Sequence, residues 1–265
     1  MTDWLDALTT DPAPAVLVTV AAVHGSGPRE PGAKMVFTET AQYDTIGGGH
    51  LELKAAETAR DMLAGATTAR RLERYPLGPS LGQCCGGVVW LRFEHVAAGE
   101  DLAARLPVPL LRPVALFGAG HVGLAIARIA RDLPLALHWI DSREAAFPID
   151  PPEPHWRQES LDAIADAVPD LAPGSAVLIM SYSHAEDFNV VAACLKRQRE
   201  RGDLPFIGLI GSRTKWASFR HRLEARGFTE VELTQVVCPI GVPGVEGKQP
   251  AAIAVAVLAQ ILSLS

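Results

Sequence analysis

The sequence "VALFGAGHVGLAIARIA", residues 114–130, decides the fold. Its first four residues are apolar and indicate a buried strand, and the residues after the glycines show helical periodicity. Gly118, Gly120 and Gly123 lie between the two, in the spacing G-x-G-x-x-G. A glycine motif of this spacing between a strand and a helix predicts the phosphate-binding turn of a Rossmann fold.

Each part of this turn has its own role in the prediction. Gly118 permits a tight turn, Gly120 lets the backbone approach a phosphate, and Gly123 allows the helix to pack closely on the strand. His121 lies within the motif, where the helix begins and its free N–H groups attract an anion. Asp141 ends the next predicted strand, about 20 residues further on, where an acid can bind a ribose hydroxyl. A Rossmann scaffold that binds no nucleotide stays open as the alternative.

The rest of the chain divides into two regions of different pattern. Strand-like and helix-like runs alternate from about Arg112 onward, which predicts a parallel, doubly wound sheet. The preceding residues combine several strands with one amphipathic helix, and the proline-rich "RLPVPLLRP" predicts a stiff linker. We therefore expect an α/β protein with a smaller N-terminal α+β domain in residues 1–106 and a C-terminal Rossmann-like domain in residues 107–265.

Two glycine-rich segments of the N-terminal region are candidate anion sites. The loop "HGSGPREPGAKM" carries Arg29 and Lys34, which can hold phosphate or carboxylate or can be solvated charges of a surface loop.

The second segment, "TIGGGHLE", places Gly47, Gly48 and Gly49 directly before a helix, where backbone N–H groups can form an anion-binding nest. The end of a hairpin is the alternative, and Glu52 in the first helical turn would compete with a bound anion.

The segment "LGQCCGG", residues 81–87, contains the adjacent pair Cys84 and Cys85. Adjacent Cα atoms lie about 3.8 Å apart, which is too close for an unstrained disulfide, so we expect two thiols. Side chains of adjacent residues point to opposite faces of an extended segment, whereas a turn at the flanking glycines would orient both thiols together. Both, one or neither can therefore belong to a site, and Cys194 and Cys238 are interpreted as structural.

Composition narrows the function classes. The formal net charge of −6 argues against non-specific nucleic-acid binding, and no apolar run is long enough to cross a membrane. The acidic N-terminus is unlike a secretory signal, which predicts a cytoplasmic protein.

Two polar segments follow neighbouring predicted strands, at the edge where such sheets bind ligands. His184 and Asp187 lie in the first segment, and the second is "GSRTKW". Helix capping and ion pairing are equally open roles for these residues.

Taken together, "GSGPREPGAKM", "TIGGGHLE", "LGQCCGG", "LFGAGHVG" and "GSRTKW" resemble the XdhC/CoxI family over nearly the whole chain. The ending "CPIGVPGVEGKQPAAIAVAVLAQIL" is also similar, although Pro243 stands where related chains often carry an acidic residue. The members of this family are accessory proteins of xanthine dehydrogenase and related molybdenum hydroxylases.

The resemblance implies a protein that binds the molybdenum cofactor (molybdopterin), protects it while a cysteine desulfurase supplies its terminal sulfur, and inserts it into the apo molybdenum hydroxylase. It favours a cofactor chaperone that turns over no small substrate, so no catalytic residue is assigned. The thiolates of Cys84 and Cys85 would then meet the molybdenum or sulfur end, since soft ligands suit soft centres. The glycine motifs, with Arg29 and Lys34, would hold the phosphates.

Two other function classes stay open. The Rossmann fingerprint and Asp141 also fit an NAD(P)-dependent oxidoreductase, although the N-terminal domain offers no evident general acid. A scaffold that only docks the desulfurase and the hydroxylase is the second alternative. The sequence leaves open a nucleotide in the Rossmann-like domain, a homodimer, a bound metal and the identity of the molybdoenzyme.

Overall fold

The computed structural model describes residues 13–65, 70–78, 86–100, 110–147 and 155–264. Its contacts divide the chain into two compact units, Thr2–Val108 and Pro109–Ser265. The predicted boundary after residue 106 and the linker residues Pro107 and Pro109 lie outside the described residues.

The N-terminal unit is an antiparallel sheet with one helix on one face. The strand order is β3-β2-β1-β5-β4. The strands are β1 Ala15–His24, β2 Lys34–Thr38, β3 Gln42–Asp44, β4 Arg71–Pro76 and β5 Val88–Val96, and the helix is α1 Gly49–Ala64.

Alternation of side chains along β1 decides which face of this sheet is covered. Val16, Val18 and Val20 point to α1 and are fully or almost fully buried there against Leu51 and Ala55. Residues on the opposite face of β1 turn away from the helix. The face toward α1 therefore holds the larger buried cluster of this unit, and Ala15, Leu17, Val36 and Val96 form a smaller one on the opposite face.

The C-terminal unit contains a parallel sheet in the order β8-β7-β6-β9-β10-β11. This is the strand order 3-2-1-4-5-6 of the doubly wound dinucleotide-binding fold, so the predicted Rossmann-like architecture is confirmed. The strands are β6 Arg112–Phe117, β7 Leu135–Asp141, β8 Arg157–Ser160, β9 Ala176–Ile179, β10 Phe206–Leu209 and β11 Val236–Val237.

Helices cover both faces of the parallel sheet and give two buried clusters. The helices are α2 His121–Ala130, α3 His184–Arg201, α4 Arg213–Glu224, α5 Glu230–Leu233 and α6 Pro250–Leu262. Gly202 ends α3 in the left-handed conformation and Pro250 begins α6, which are positions that glycine and proline favour. Within the described part of the chain, no helix combines the length and the apolar character needed to cross a bilayer.

Several short elements of the structure cannot be recognised from the sequence pattern. The sequence pattern does not reveal strands β3, β4, β8 and β11, and the short helix favoured by the spacing of Leu161, Ile164 and Val168 is a 3-10 helix, Ile164–Asp170. Pro169 lies inside it and has no N–H to donate, which disfavours a regular α-helix there. All four strands lie at a sheet edge. Strands β3, β4 and β8 carry polar residues at most of their exposed positions, which hides the usual alternation, and β11 has only two residues.

Cys194 provides a test of the core of the C-terminal unit. It is fully buried in α3, and burial raises the pKa of its thiol to about 12. Because the thiolate is the reactive form, we expect iodoacetamide at about pH 8 to leave Cys194 unmodified in the native protein. Peptide mass spectrometry before and after unfolding measures this, with half-buried Cys238 as the internal comparison. Equal labelling of both cysteines in the native state would contradict the packing described.

Candidate functional site

The glycines that follow the cysteine pair pack against the loop after β1. A Cβ atom on Gly87 would lie 2.2 Å from the Ser26 carbonyl oxygen and 2.7 Å from that of His24. A Cβ on Gly25 would lie 3.3 Å from the Cα of Gly87. Only glycine permits this approach, so the end of "LGQCCGG" is fixed beside the start of "HGSGPREPGAKM".

The triple-glycine segment meets the same loop from another direction. A Cβ on Gly47 would lie 2.3 Å from the Cβ of Pro28, and Gly47 has a φ of +119°. Arg29 Nη1 donates a hydrogen bond of 3.3 Å to the carbonyl oxygen of Thr45, just before the glycines. The three N-terminal motifs predicted from the sequence therefore meet at one corner of the unit, which we call the motif corner: residues 24–33, 45–49 and 86–87.

The backbone nest in the triple-glycine segment is occupied from within. The Glu52 carboxylate accepts hydrogen bonds from the N–H groups of Ile46 at 3.0 Å and Gly48 at 2.8 Å, and from the Thr45 hydroxyl. An external anion at these two amides would have to displace Glu52. The geometry therefore corrects the prediction for Gly47, Gly48 and Gly49: this nest binds an internal carboxylate, and the glycines shape the corner.

The two predicted cations have mainly local partners. Arg29 pairs with Glu30 at 3.1 Å, and this hydrogen-bonded pair raises the pKa of Arg29. Lys34 Nζ donates to the Gly32 carbonyl oxygen at 3.1 Å. Cys84 and Cys85 lie outside the described residues, so their predicted role stays a prediction.

In the C-terminal unit the glycine motif forms the predicted turn between β6 and α2. A Cβ on Gly118 would lie 2.3 Å from the Met180 carbonyl oxygen, and a Cβ on Gly123 would lie 2.0 Å from the Gly118 carbonyl oxygen. Both glycines are thus needed for packing. A Cβ on Gly120 would meet no atom within 4 Å, and His121 is exposed at the first position of α2.

This open side of the turn can receive an anion. No side chain caps the first turn of α2, and among the described residues nothing accepts a hydrogen bond from the N–H groups of Gly120 or His121. The turn lies at the end of β6, next to β9, where the chain reverses its direction of travel across the sheet. Ligands of doubly wound sheets bind at this position.

Asp141 has a different role from the one predicted. Its Oδ1 accepts from the backbone N–H of Arg143 and from Arg143 Nε, both at 2.9 Å. Its Oδ2 accepts from the Ala119 N–H at 2.6 Å and from Arg143 Nη2 at 3.0 Å. A carboxylate has about four acceptor positions, and all are used. Asp141 therefore braces the glycine turn and holds Arg143, and a ribose hydroxyl would have to break one of these bonds.

The electrostatics of Asp141 agree with this bracing role. The side chain is 1% exposed, and burial alone would raise its pKa. The hydrogen bonds from Arg143 and Ala119 outweigh burial, so the pKa lies below its ordinary value. The Arg143 guanidinium also lies 4.9 Å from the ring centroid of Tyr182, which is 67% exposed. Sequence reasoning missed Arg143, two positions after the acid at the strand end.

Another ion pair joins the first turns of α3 and α4, the helices that follow β9 and β10, and both of its side chains are almost fully buried. Lys215 Nζ lies 2.6 Å from Asp187 Oδ2, with 10% and 1% of the two side chains exposed. Asp187 Oδ1 accepts from the Ser181 N–H and hydroxyl, each at 2.8 Å. Of the two roles left open for "SYSHAED" and "GSRTKW", Asp187 and Lys215 form the ion pair. His184 makes an edge contact with the Phe219 ring.

Comparison with known families agrees with both units. A family model described as the XdhC Rossmann domain matches residues 114–261, more than half of the chain. The model of the XdhC and CoxI family matches residues 8–76. The chain belongs to the XdhC/CoxI family. The resemblance carried by the motifs is therefore confirmed, and the XdhC Rossmann model covers the glycine turn, Asp141 and the Asp187–Lys215 pair.

Two individual proteins are similar along nearly the full chain. The uncharacterised protein YqeB of Escherichia coli is 27% identical over 258 residues, which are 95% of this chain; the chain spans 43% of the length of YqeB. A crystal structure described as a xanthine dehydrogenase from Bacillus halodurans matches with a TM-score of 0.76 and 20% identity, over 98% of this chain and 94% of that one. At this identity the second match shows the fold alone.

The bracing role of Asp141 predicts a pH-dependent loss of stability on Asp141→Asn. An amide retains the shape but loses the charge-assisted bonds, so we expect the free energy of unfolding to fall by about 2 kcal/mol near neutral pH. Because the folded pKa of Asp141 is lowered, its contribution is complete above the unfolded pKa of about 3.9 and is lost as the pH falls through the folded pKa. Urea unfolding from about pH 7 to about pH 3 measures the difference.

The exposed carboxylate of Asp132, at the end of α2, provides the control. We expect Asp132→Asn to change stability by less than about 0.5 kcal/mol at every pH. Equal effects of the two substitutions would show that Asp141 does not brace the turn.

Proposed function

We propose that this chain is an accessory protein of a xanthine dehydrogenase-type molybdenum hydroxylase, which binds the molybdenum cofactor, supports its sulfuration and delivers it to the apo-enzyme. Family membership supports the accessory role. The cofactor is the cargo of the protein in this proposal, and the hydroxylase and a cysteine desulfurase are its partners.

The observation that carries the proposal is the meeting of three motifs at the motif corner. Gly87 fixes the chain after the cysteine pair against His24 and Ser26, and Gly47 fixes the triple-glycine segment against Pro28. All three segments use glycines in left-handed or close-packed positions. Ordering glycine costs more conformational entropy than ordering other residues, so this arrangement is unusual for a surface loop without a binding role. A corner built in this way supports a binding role for the cysteines attached to it.

The chemistry of the cysteine pair suits the molybdenum end of the cofactor. A thiolate is a soft ligand that can approach the molybdenum or sulfur end of the cofactor. Arg29 lies at the same corner and could bind an anionic part of the ligand in exchange for its ion pair with Glu30. The residues of the corner therefore bind and shield the cargo in this proposal, and they carry out no turnover.

The C-terminal unit would contribute a second binding element. The open N–H groups at the start of α2 suit a phosphate or a nucleotide portion of the ligand. An NAD(P)-dependent oxidoreductase is less well supported, because the four acceptor positions of Asp141 are already used by Ala119 and Arg143. The preferred interpretation is therefore a cofactor carrier with a phosphate-binding turn.

The proposal predicts that Cys84→Ala or Cys85→Ala lowers cofactor retention and delivery. The purified protein is loaded anaerobically with cofactor released from a molybdoenzyme, and retention is measured by ultrafiltration. Delivery is measured as hydroxylase activity recovered from apo-enzyme. We expect at least one variant to lose most of both, with a melting temperature close to that of the wild type, because the thiols serve the ligand rather than the core.

Cys238→Ala is the matched control for these variants. It also removes one thiol, but from a half-buried position after β11, outside the motif corner. We expect it to load and deliver cofactor normally. A wild-type protein that retains no cofactor under anaerobic conditions would overturn the carrier function, and normal delivery by both cysteine variants would overturn the role of the thiols.

The phosphate-binding turn is tested by Gly120→Ala against Gly123→Ala. A methyl group at Gly120 has free space and no positive φ to oppose it, so the melting temperature stays unchanged while binding of ADP or the loaded cofactor weakens. A methyl group at Gly123 collides with the Gly118 carbonyl oxygen and lowers the melting temperature. Calorimetric titration with thermal melting measures both; unchanged binding in a folded Gly120→Ala protein would make this turn a scaffold only.

A further inference from the structure

The sheet of the N-terminal unit has one face that α1 does not cover. Alternation along the strands puts Lys34, Arg74, Trp90, Arg92 and His24 on this second face, which we call the basic face. Their strand neighbours, such as Val89 and Leu91, point to the core on the other side. The basic face is thus the exposed part of this second face, which also holds the buried residues Leu17, Val36 and Val96 next to it.

The register of the sheet brings these side chains into neighbouring rows. Thr19 of β1 pairs with Lys34 of β2 on one side and with Arg92 of β5 on the other. In the next row, Trp90 pairs with Arg74 of β4. Directly opposed residues have Cβ atoms about 5 Å apart, so the cations and the indole form one continuous surface.

The charge of this surface is opposite to that of the chain. The whole protein has a net charge of −6. Within the described part of the chain, no carboxylate forms an ion pair with Arg74, Arg92 or Lys34. Glu94, further along β5, is almost fully buried and lies 2.6 Å from Arg70. The exposed part of the basic face therefore presents positive charge only.

The aromatic and apolar residues beside the cations, Trp90, His24 and Leu72, are exposed at least in part. The Trp90 and His24 rings lie 4.7 Å apart at 56°, and the Arg74 guanidinium lies 5.9 Å from the Trp90 ring centroid. Leu72 of β4, in the row of Arg92, is 62% exposed. Tryptophan and arginine are the residue types enriched where protein interfaces gain most of their binding energy.

The basic face reaches the motif corner directly. His24 belongs to both, because its ring contacts Trp90 and its carbonyl oxygen lies against Gly87. A molecule bound on the basic face would therefore lie beside the segment that carries the cysteine pair. Small ligands prefer concave sites, whereas an open sheet face suits the broad surface of another protein.

We propose that the basic face docks an acidic surface of the apo-hydroxylase that receives the cofactor. The inference rests on the proposed function, because it places the acceptor beside Gly87, two residues after the cysteine pair to which the cargo is assigned. Charge complementarity steers the acidic partner to this face and makes the association sensitive to salt. In the bound complex, Trp90 and Leu72 provide apolar contacts that are buried between the two proteins.

The test compares two double variants that each remove two positive charges. Arg74→Gln with Arg92→Gln removes two positive charges from the basic face, and Arg128→Gln with Lys196→Gln removes two exposed cations of α2 and α3 that form no ion pair with any described residue. Binding of each protein to immobilised apo-hydroxylase is measured at about 0.05 M and about 0.3 M salt. We expect the first variant to bind about tenfold more weakly at low salt and to lose most of the salt dependence, while the second binds like the wild type.

Cofactor retention of the same proteins is measured in parallel. Weaker hydroxylase binding by the Arg74/Arg92 variant with normal retention supports docking. Unchanged hydroxylase binding overturns docking and leaves the carrier function intact. Loss of retention together with binding also overturns docking, since the face would then belong to the cofactor site. A wild-type protein that binds the hydroxylase through this face but retains no cofactor would overturn the carrier function alone.

Discussion

The close approach of backbone segments around Gly118 is the constraint on which the C-terminal unit depends. The chain leaving β6 passes so near the Met180 carbonyl oxygen that no Cβ fits at Gly118, and α2 returns so near that none fits at Gly123. The Gly118 carbonyl oxygen also accepts a 3.1 Å hydrogen bond from Trp139 Nε1 of β7. These contacts fix where α2 begins, and with it the direction of its free N–H groups.

The N-terminal unit uses glycine in the same way at a different place. Gly87 and Gly47 each let a segment lie against the loop after β1, at distances that a methyl group would prevent. In both units the glycines first serve packing between backbone segments. A binding role is left to the groups they expose, which are the amides around Gly120 in one unit and the segment bearing the cysteines in the other.

Much of the fold follows from local patterns in the sequence. The strand and helix around Gly118 were predicted because each is long enough to show its own periodicity, whereas β11 has only two residues and β8 only four. The site was predicted less completely. The competition of Glu52 with an anion is foreseen from its place in the first helical turn. The bonds from Arg143 to Asp141 are not foreseen, because they depend on a side-chain path that spacing does not reveal. The resemblance to the XdhC/CoxI family rests on several motifs together, because no single glycine pattern is specific enough to indicate the family.

The buried clusters have a consequence for how this protein unfolds. Two clusters draw their residues from the N-terminal unit and two from the C-terminal unit. Residues that share one hydrophobic core unfold together, whereas separate cores can unfold at different temperatures. A calorimetric scan of such a protein is therefore not required to show a single two-state transition. A midpoint measured for a variant at Gly123 then reports on one half of the chain, while a variant at Gly47 reports on the other. Fitting a thermal scan to one and to two transitions, each with its own enthalpy, tests whether the two units unfold separately.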